Sequence, residues 1–225
     1  MLGHSHALSG AAAGAAAGEF VMHLPLPQCA ALAGFTAAFA TLPDIDTCHS
    51  TVSRSLGFLS EAFAWIVGKI SGGHRHGSHS ILGVAVFTGL TWLCCEFRHT
   101  MPGHWALALL LALAFAAGLR ALRMGGHYAD LLALGAAFAV GWEGISLALI
   151  PLACALGCAT HIAGDMLTTE GCPLAWPVTM RHFGLPRPLS FTTGTWRENL
   201  VVAPALLLAL AYLCWHAVTL SPHLI

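Results

Sequence analysis

The chain has 225 residues, of which 57% are hydrophobic and only 8% charged; its mean hydropathy is +0.75 and its formal net charge −1. Soluble domains carry roughly 25% charged residues, so this chain cannot cover a water-facing surface. A soluble enzyme, a disordered chain and a nucleic-acid binder with a basic face are excluded as leading readings, and the lipid bilayer becomes the first partner to consider.

About 20 apolar residues cross a bilayer core. In chain order, residues 7–20 form a short Ala/Gly-rich helix that either spans or half-inserts, and 26–42, 81–97 and 105–119 read as spans. The apolar stretch 129–160 is too long for one helix; Gly141, Gly144 and Pro151 divide it into helices at 129–142 and 147–167, and a last span covers 200–218. The expected fold is all-α: a polytopic helical membrane protein with about six to seven membrane-embedded helices in a single domain over 1–225, with longer loops at about 43–80 and 168–199. No Lys or Arg precedes the first apolar run, so that segment reads as retained rather than as a signal peptide. The eight Cys lie mostly within apolar runs and form no Cys-x-x-Cys, which marks them as small buried hydrophobes. If each segment crosses once, Arg54, Lys69, Arg75, Arg120, Arg123, Arg181, Arg187 and Arg197 share one face with the N-terminus and only Arg98 lies on the other. The positive-inside rule makes the first face cytoplasmic.

Histidine is the second anomaly: 14 His stand against 9 Lys+Arg and 10 Asp+Glu. Imidazole is a poor lipid-facing group but a common metal ligand and proton carrier. Four polar constellations interrupt the apolar sequence, and all map to the cytoplasmic face: His4-Ser5-His6, Pro43-Asp44-Ile45-Asp46, His74-Arg75-His76-Gly77-Ser78-His79-Ser80, and His161-x-x-x-Asp165. His161 and Asp165, at i and i+4, share one helical face and can bind one ion. Asp44 and Asp46 project differently after Pro43, so one can ligate while the other orients a ligand His. In the third block His74, His76 and His79 offer three imidazoles around Gly77, and Arg75 can neutralise an anionic substrate. Mixed His/Asp ligation suits Zn²⁺, Mn²⁺ or Fe better than Ca²⁺ or Mg²⁺.

Each constellation also has a plainer reading: a bracing pair for His161 and Asp165, a helix cap for the aspartates, solvated loop residues for the histidine blocks. Jointly these weaken, because ionisable groups at membrane depth are costly and usually functional. His49, His127 and His182 lie on the same face and could add a ligand; His23, His99, His104, His216 and His223 do not. Glu198 stands at the start of the last helix, where the dipole favours an acid and where a catalytic role is the sharper alternative. Glu143 reads as a structural partner toward the far side.

The order of the His-x-His, Pro-Asp-Ile-Asp, His-Arg-x-Gly-x-His-Ser and His161-x-x-x-Asp165 motifs, the last followed by Thr168-Thr169-Glu170-Gly171, resembles the LexA-regulated, membrane-bound metal-dependent hydrolase family of bacterial inner-membrane proteins, from about Gly3 to Glu198. Either His74-Arg75 or Arg75-His76 can match the core of the third motif. The resemblance implies a multi-pass protein of the bacterial inner membrane with hydrolase activity. A sparser likeness, through His6, Asp44, His79, His161 and Asp165, is to zinc-dependent phospholipase C and single-strand nucleases, and it implies phosphoester chemistry.

The expectation is therefore a metal-dependent hydrolase at the cytoplasmic membrane face, acting on a lipid or small phosphoester and not on nucleic acid. His6, Asp44, His76, His79, His161 and Asp165 are the candidate metal ligands, with Zn foremost and Mn or Fe as alternatives. Asp46 or Glu198 would be the general base, and Arg75 would steady developing negative charge. A metal-ion or proton transporter is the alternative, and it would need ionisable residues through the membrane depth.

Overall fold

The structure is a computed structural model describing residues 1–55, 57–142 and 147–219. Glu143 and His223 lie outside the described residues, as does the side chain of His127. The described residues form eight α-helices: α1 (Gly3–Ala16), α2 (Leu26–Phe39), α3 (Phe58–Ser71), α4 (Ile81–Glu96), α5 (Met101–Ala121), α6 (Ala129–Trp142), α7 (Leu149–Met166) and α8 (Ala203–Thr219). Five segments are long and apolar enough to cross a membrane: Leu26–Asp46, Ile81–His99, Met101–Ala121, Leu149–Met166 and Glu198–Thr219. The expected helices are thus present, and the one not expected is α3, which falls inside the segment expected as a loop at about 43–80. Among the described residues the only β pairing is two isolated bridges, Thr168 to Phe191 and Cys172 to Phe183, which fold the 168–199 segment back over the end of α7.

Local chemistry sets the helix ends. Pro27 stands in the first turn of α2 and Pro102 in that of α5, where the missing N–H costs nothing. The Ser80 hydroxyl accepts from the Gly83 N–H at 3.1 Å and so caps α4, tying the histidine block directly to a span. Short π-helical turns extend α1 at Ala17–Val21 and precede α8 at Glu198–Val202, and each holds a buried glutamate, Glu19 and Glu198.

Alternation of helix direction brings the start of α1, the ends of α2 and α7, and the starts of α4 and α8 to one end of the bundle. At the other end His216 of α8 pairs with Glu19. The centre is α2, packed between α1 and α7. Glycine makes that packing close: a Cβ on Gly10 would lie 2.6 Å from the Thr36 carbonyl oxygen, and one on Gly157 would lie 2.8 Å from the same oxygen. Small residues at helix crossings are how bilayer proteins bring backbones together. Gly10 is one turn after His6 and Gly157 one turn before His161, so these crossings draw both imidazoles to the same point.

Candidate metal centre

Four side chains from three segments converge there: Asp44 from the Leu42–Asp46 turn, His79 from the Gly77–His79 turn, and His161 and Asp165 from α7. His161 Nε2 lies 3.1 Å from His79 Nε2. Asp44 Oδ1 is 3.5 Å from His79 Nε2 and 3.6 Å from His161 Nε2, and Asp165 Oδ2 is 3.6 Å from each. Ligands about 2.0–2.1 Å from a tetrahedral Zn²⁺ are about 3.3–3.4 Å apart, a value bracketed by the separations here, 3.1 to 3.6 Å. The imidazoles of His79 and His161 are fully buried, whereas Asp44 keeps 24% of its side chain exposed.

The tautomers point the same way. His161 Nδ1 is 2.7 Å from the Ala40 carbonyl oxygen, which can only accept, so Nδ1 carries the hydrogen. His79 Nδ1 faces Asp46 Oδ2 at 3.2 Å, again an acceptor. With both Nδ1 atoms so held, the two Nε2 atoms, 3.1 Å apart, can face each other only by sharing a cation, either a proton on His79 or a metal ion. Oriented imidazoles of this kind, each with its other nitrogen held by a carbonyl or carboxylate, are the usual support of a metal ligand. Burial disfavours charge on His79, but Asp44 and Asp46 outweigh it and push its pKa up to about 9. Cys172 is not a competing thiolate, because burial, reinforced by Asp165, pushes its thiol up to about 12.

Around the four lies a supporting layer. Asp46 accepts from His74 Nδ1 at 2.8 Å, from the Arg75 N–H at 3.1 Å and from the Ser78 hydroxyl at 2.5 Å, in addition to facing His79. Its carboxylate is fully engaged in orienting the histidine block. Arg75 has a left-handed backbone with φ of 55°. Its buried guanidinium reaches Asp165 at 3.0 Å, Thr168 Oγ1 at 3.2 Å and Glu170 at 3.0 Å. His6, His161 and Asp165 are also within reach of one shared ion; His6 stacks on His161 with ring centroids 3.7 Å apart, and its Nε2 is 3.3 Å from Asp165 Oδ1. That oxygen also takes the N-terminal ammonium of Met1.

Two of the expected positions fall elsewhere. His76 turns back so that its Nδ1 meets the His74 carbonyl oxygen at 2.8 Å; His74 stands beside Asp44 and His79 in its place, within reach of a shared ion. The turn at Arg75 decides which imidazole of the pair faces inward. Glu198 is buried, but one oxygen accepts the Leu2 N–H at 2.6 Å and the other the Gly194 N–H at 2.7 Å. It clamps the N-terminal segment to the loop before α8, and both of these hydrogen bonds are to backbone N–H groups and not to the four donors. His49 pairs with Arg54 at 3.0 Å, and His182 donates to the Glu170 carbonyl at 2.9 Å. Sequence reading passed over Ala40, Ser78 and Thr168; a backbone carbonyl leaves no signal, and a lone hydroxyl only a weak one.

Fold and centre together define a multi-pass helical membrane protein with a buried His/Asp cluster at one end of its bundle. The chain matches the YdjM inner membrane protein family over residues 1–222 and belongs to that family. It is thus a multi-pass protein of the inner membrane. No curated protein and no solved structure matches it.

Proposed function

We propose that this protein is a metal-dependent hydrolase whose ion is held by Asp44, His79, His161 and Asp165. The observation that carries the reading is the pair of buried Nε2 atoms facing each other at 3.1 Å beside oxygens of Asp44 and Asp165, with both Nδ1 atoms held by acceptors. A divalent ion bound there, Zn²⁺ first and Mn²⁺ or Fe²⁺ as alternatives, would supply a Lewis acid and a water with its pKa lowered toward ~7. Asp44 is the ligand that solvent touches, so a substrate oxygen has its approach beside it, by expansion to five ligands. Arg75 holds Asp165 in place and offsets the local negative charge. Glu170, 66% exposed and paired with Arg75, is the neighbouring carboxylate free to carry a proton out to solvent.

A lipid phosphoester is the substrate class that the surroundings favour. An apolar groove of about 720 Å³ runs between α4 and α7. Ile81, next to the cap of α4, and Ile162 and Met166, each adjacent to a ligand, line its near end. An acyl chain lying there would bring a headgroup to the level of the centre. The test is a phosphoester and lipid screen on detergent-purified protein with metal analysis alongside. Turnover lost together with metal in His161→Ala supports the proposal. Turnover that survives loss of the ion overturns it.

A bracing role has one specific observation in its favour, since four protein ligands make a closed coordination shell. Metal-dependent melting without turnover would decide for it. Transport is weaker: from Ala7 to Gly18, between His6 and the far Glu19–His216 pair, α1 carries no titratable side chain.

A further inference from the structure

Helix α3 has a residue distribution that neither a water-facing loop helix nor a span would have. It is 14 residues long, about 21 Å at the usual rise, too short for a ~30 Å hydrocarbon core. Its inward face is made of small residues at helical spacing: Ser60 and Ala64 are buried, and Gly68 follows one turn later. This face packs on the Leu42–Asp46 turn and on the Gly77–His79 turn of the candidate centre. The fit is close, since a Cβ on Gly68 would lie 2.6 Å from the Asp46 carbonyl oxygen.

The outward surface divides into two stripes. Leu59, Phe63, Ile66 and Ile70, at i, i+4, i+7 and i+11, form one line of exposed large apolar side chains. Glu61, Trp65 and Lys69, at i, i+4 and i+8, form the other, with Lys69 Nζ 6.0 Å from the Trp65 ring centroid. A helix with three such sides, one against protein, one apolar, one charged and aromatic, suits a position lying flat in a membrane interface. Trp belongs at that level, and Lys can snorkel to the headgroups. The apolar stripe also continues existing lipid-facing surface, because the Gly77–His79 turn beneath α3 leads directly into α4, whose Ile81, Leu82, Val86 and Leu90 are exposed.

We infer that α3 is an in-plane membrane-interface helix. Its Leu59–Phe63–Ile66–Ile70 stripe is buried in the headgroup–acyl boundary of the bilayer, and its small face roofs the Asp44–Asp46 turn. The 43–80 segment is then a membrane-bound cover and not a water-exposed loop. The roof of the His/Asp cluster lies at headgroup depth, whether or not a metal binds there.

The experiment places a photoreactive benzoylphenylalanine at position 63, 66 or 61, one at a time, in the full chain. The protein is reconstituted into vesicles of phosphatidylethanolamine and phosphatidylglycerol, with position 90 on α4 as the lipid-facing reference. All four side chains are exposed, and size-exclusion of each variant checks the fold. Lipid adducts at 63 and 66 near the yield at 90, and at least about tenfold above that at 61, are expected for an interfacial amphipathic helix. Three results overturn the inference: equal adducts at 61 and 66, adducts at 90 with none at 63 and 66, or cross-links from 63 and 66 to a second copy of the chain.

Discussion

His79 and His161 illustrate how far individual residues could be read from sequence. The spacing of His161 and Asp165 on one helical face was visible directly, and Asp44 and His79 followed from motifs that shared a membrane face. The choice between His74 and His76 was not visible, because it depends on the left-handed backbone at Arg75. The engagement of both Glu198 oxygens was not visible either, since its donors are backbone N–H groups of Leu2 and Gly194. At this scale His79→Ala and His161→Ala should each lower metal affinity by at least about 10²-fold, beyond the 10–100-fold typical of losing a supporting residue. His76→Ala should leave it within about threefold, because the His76 ring turns back to the His74 carbonyl; isothermal titration on detergent-solubilised protein measures all three. The His79 pKa of about 9 adds a pH dependence. Below that value the ion must displace a proton from Nε2, so affinity should rise by up to about tenfold per pH unit between pH 7 and 9 and then level off. A flat affinity profile over that range would show that His79 is not a ligand.

At the scale of elements, seven of the eight helices followed from apolar runs and their breakers. Helix α3 escaped because no single hydrophobic period describes it: its buried face is small and polar, and its large apolar residues point away from the protein. The lengths of runs, moreover, say nothing about which helices approach closely. That information resides in Gly10 and Gly157, whose missing side chains let α1 and α7 reach the α2 backbone. Gly157→Leu should therefore force α7 off α2, costing on the order of 1–3 kcal/mol or more by overpacking. Because His161 is one turn away, the same substitution should weaken metal binding while all four donors remain in the sequence. Thermal melting and metal titration of the variant test the two effects together; unchanged binding with a normal melt would refute the link between crossing and centre.

The whole molecule gathers its charges as it gathers its chemistry. Eight Lys and Arg were assigned to the face that also carries the His/Asp cluster, and the helix directions bring those segments to one end. Sidedness has a direct check in Cys48, an exposed native thiol just after Asp46. A membrane-impermeant maleimide should leave Cys48 unlabelled in intact spheroplasts and label it after permeabilisation; labelling of intact cells would reverse the orientation. Membership of the YdjM inner membrane protein family fixes the location but leaves the chemistry to the centre itself. The most direct test of that chemistry is elemental analysis of the purified full chain after equilibration with Zn²⁺, Mn²⁺ or Fe²⁺ and removal of free ion. The account predicts about one tightly held ion per chain in the unaltered protein, and loss of it in folded His79→Ala and His161→Ala. A folded wild-type chain that retains no ion, or variants that retain as much as wild type, would contradict it.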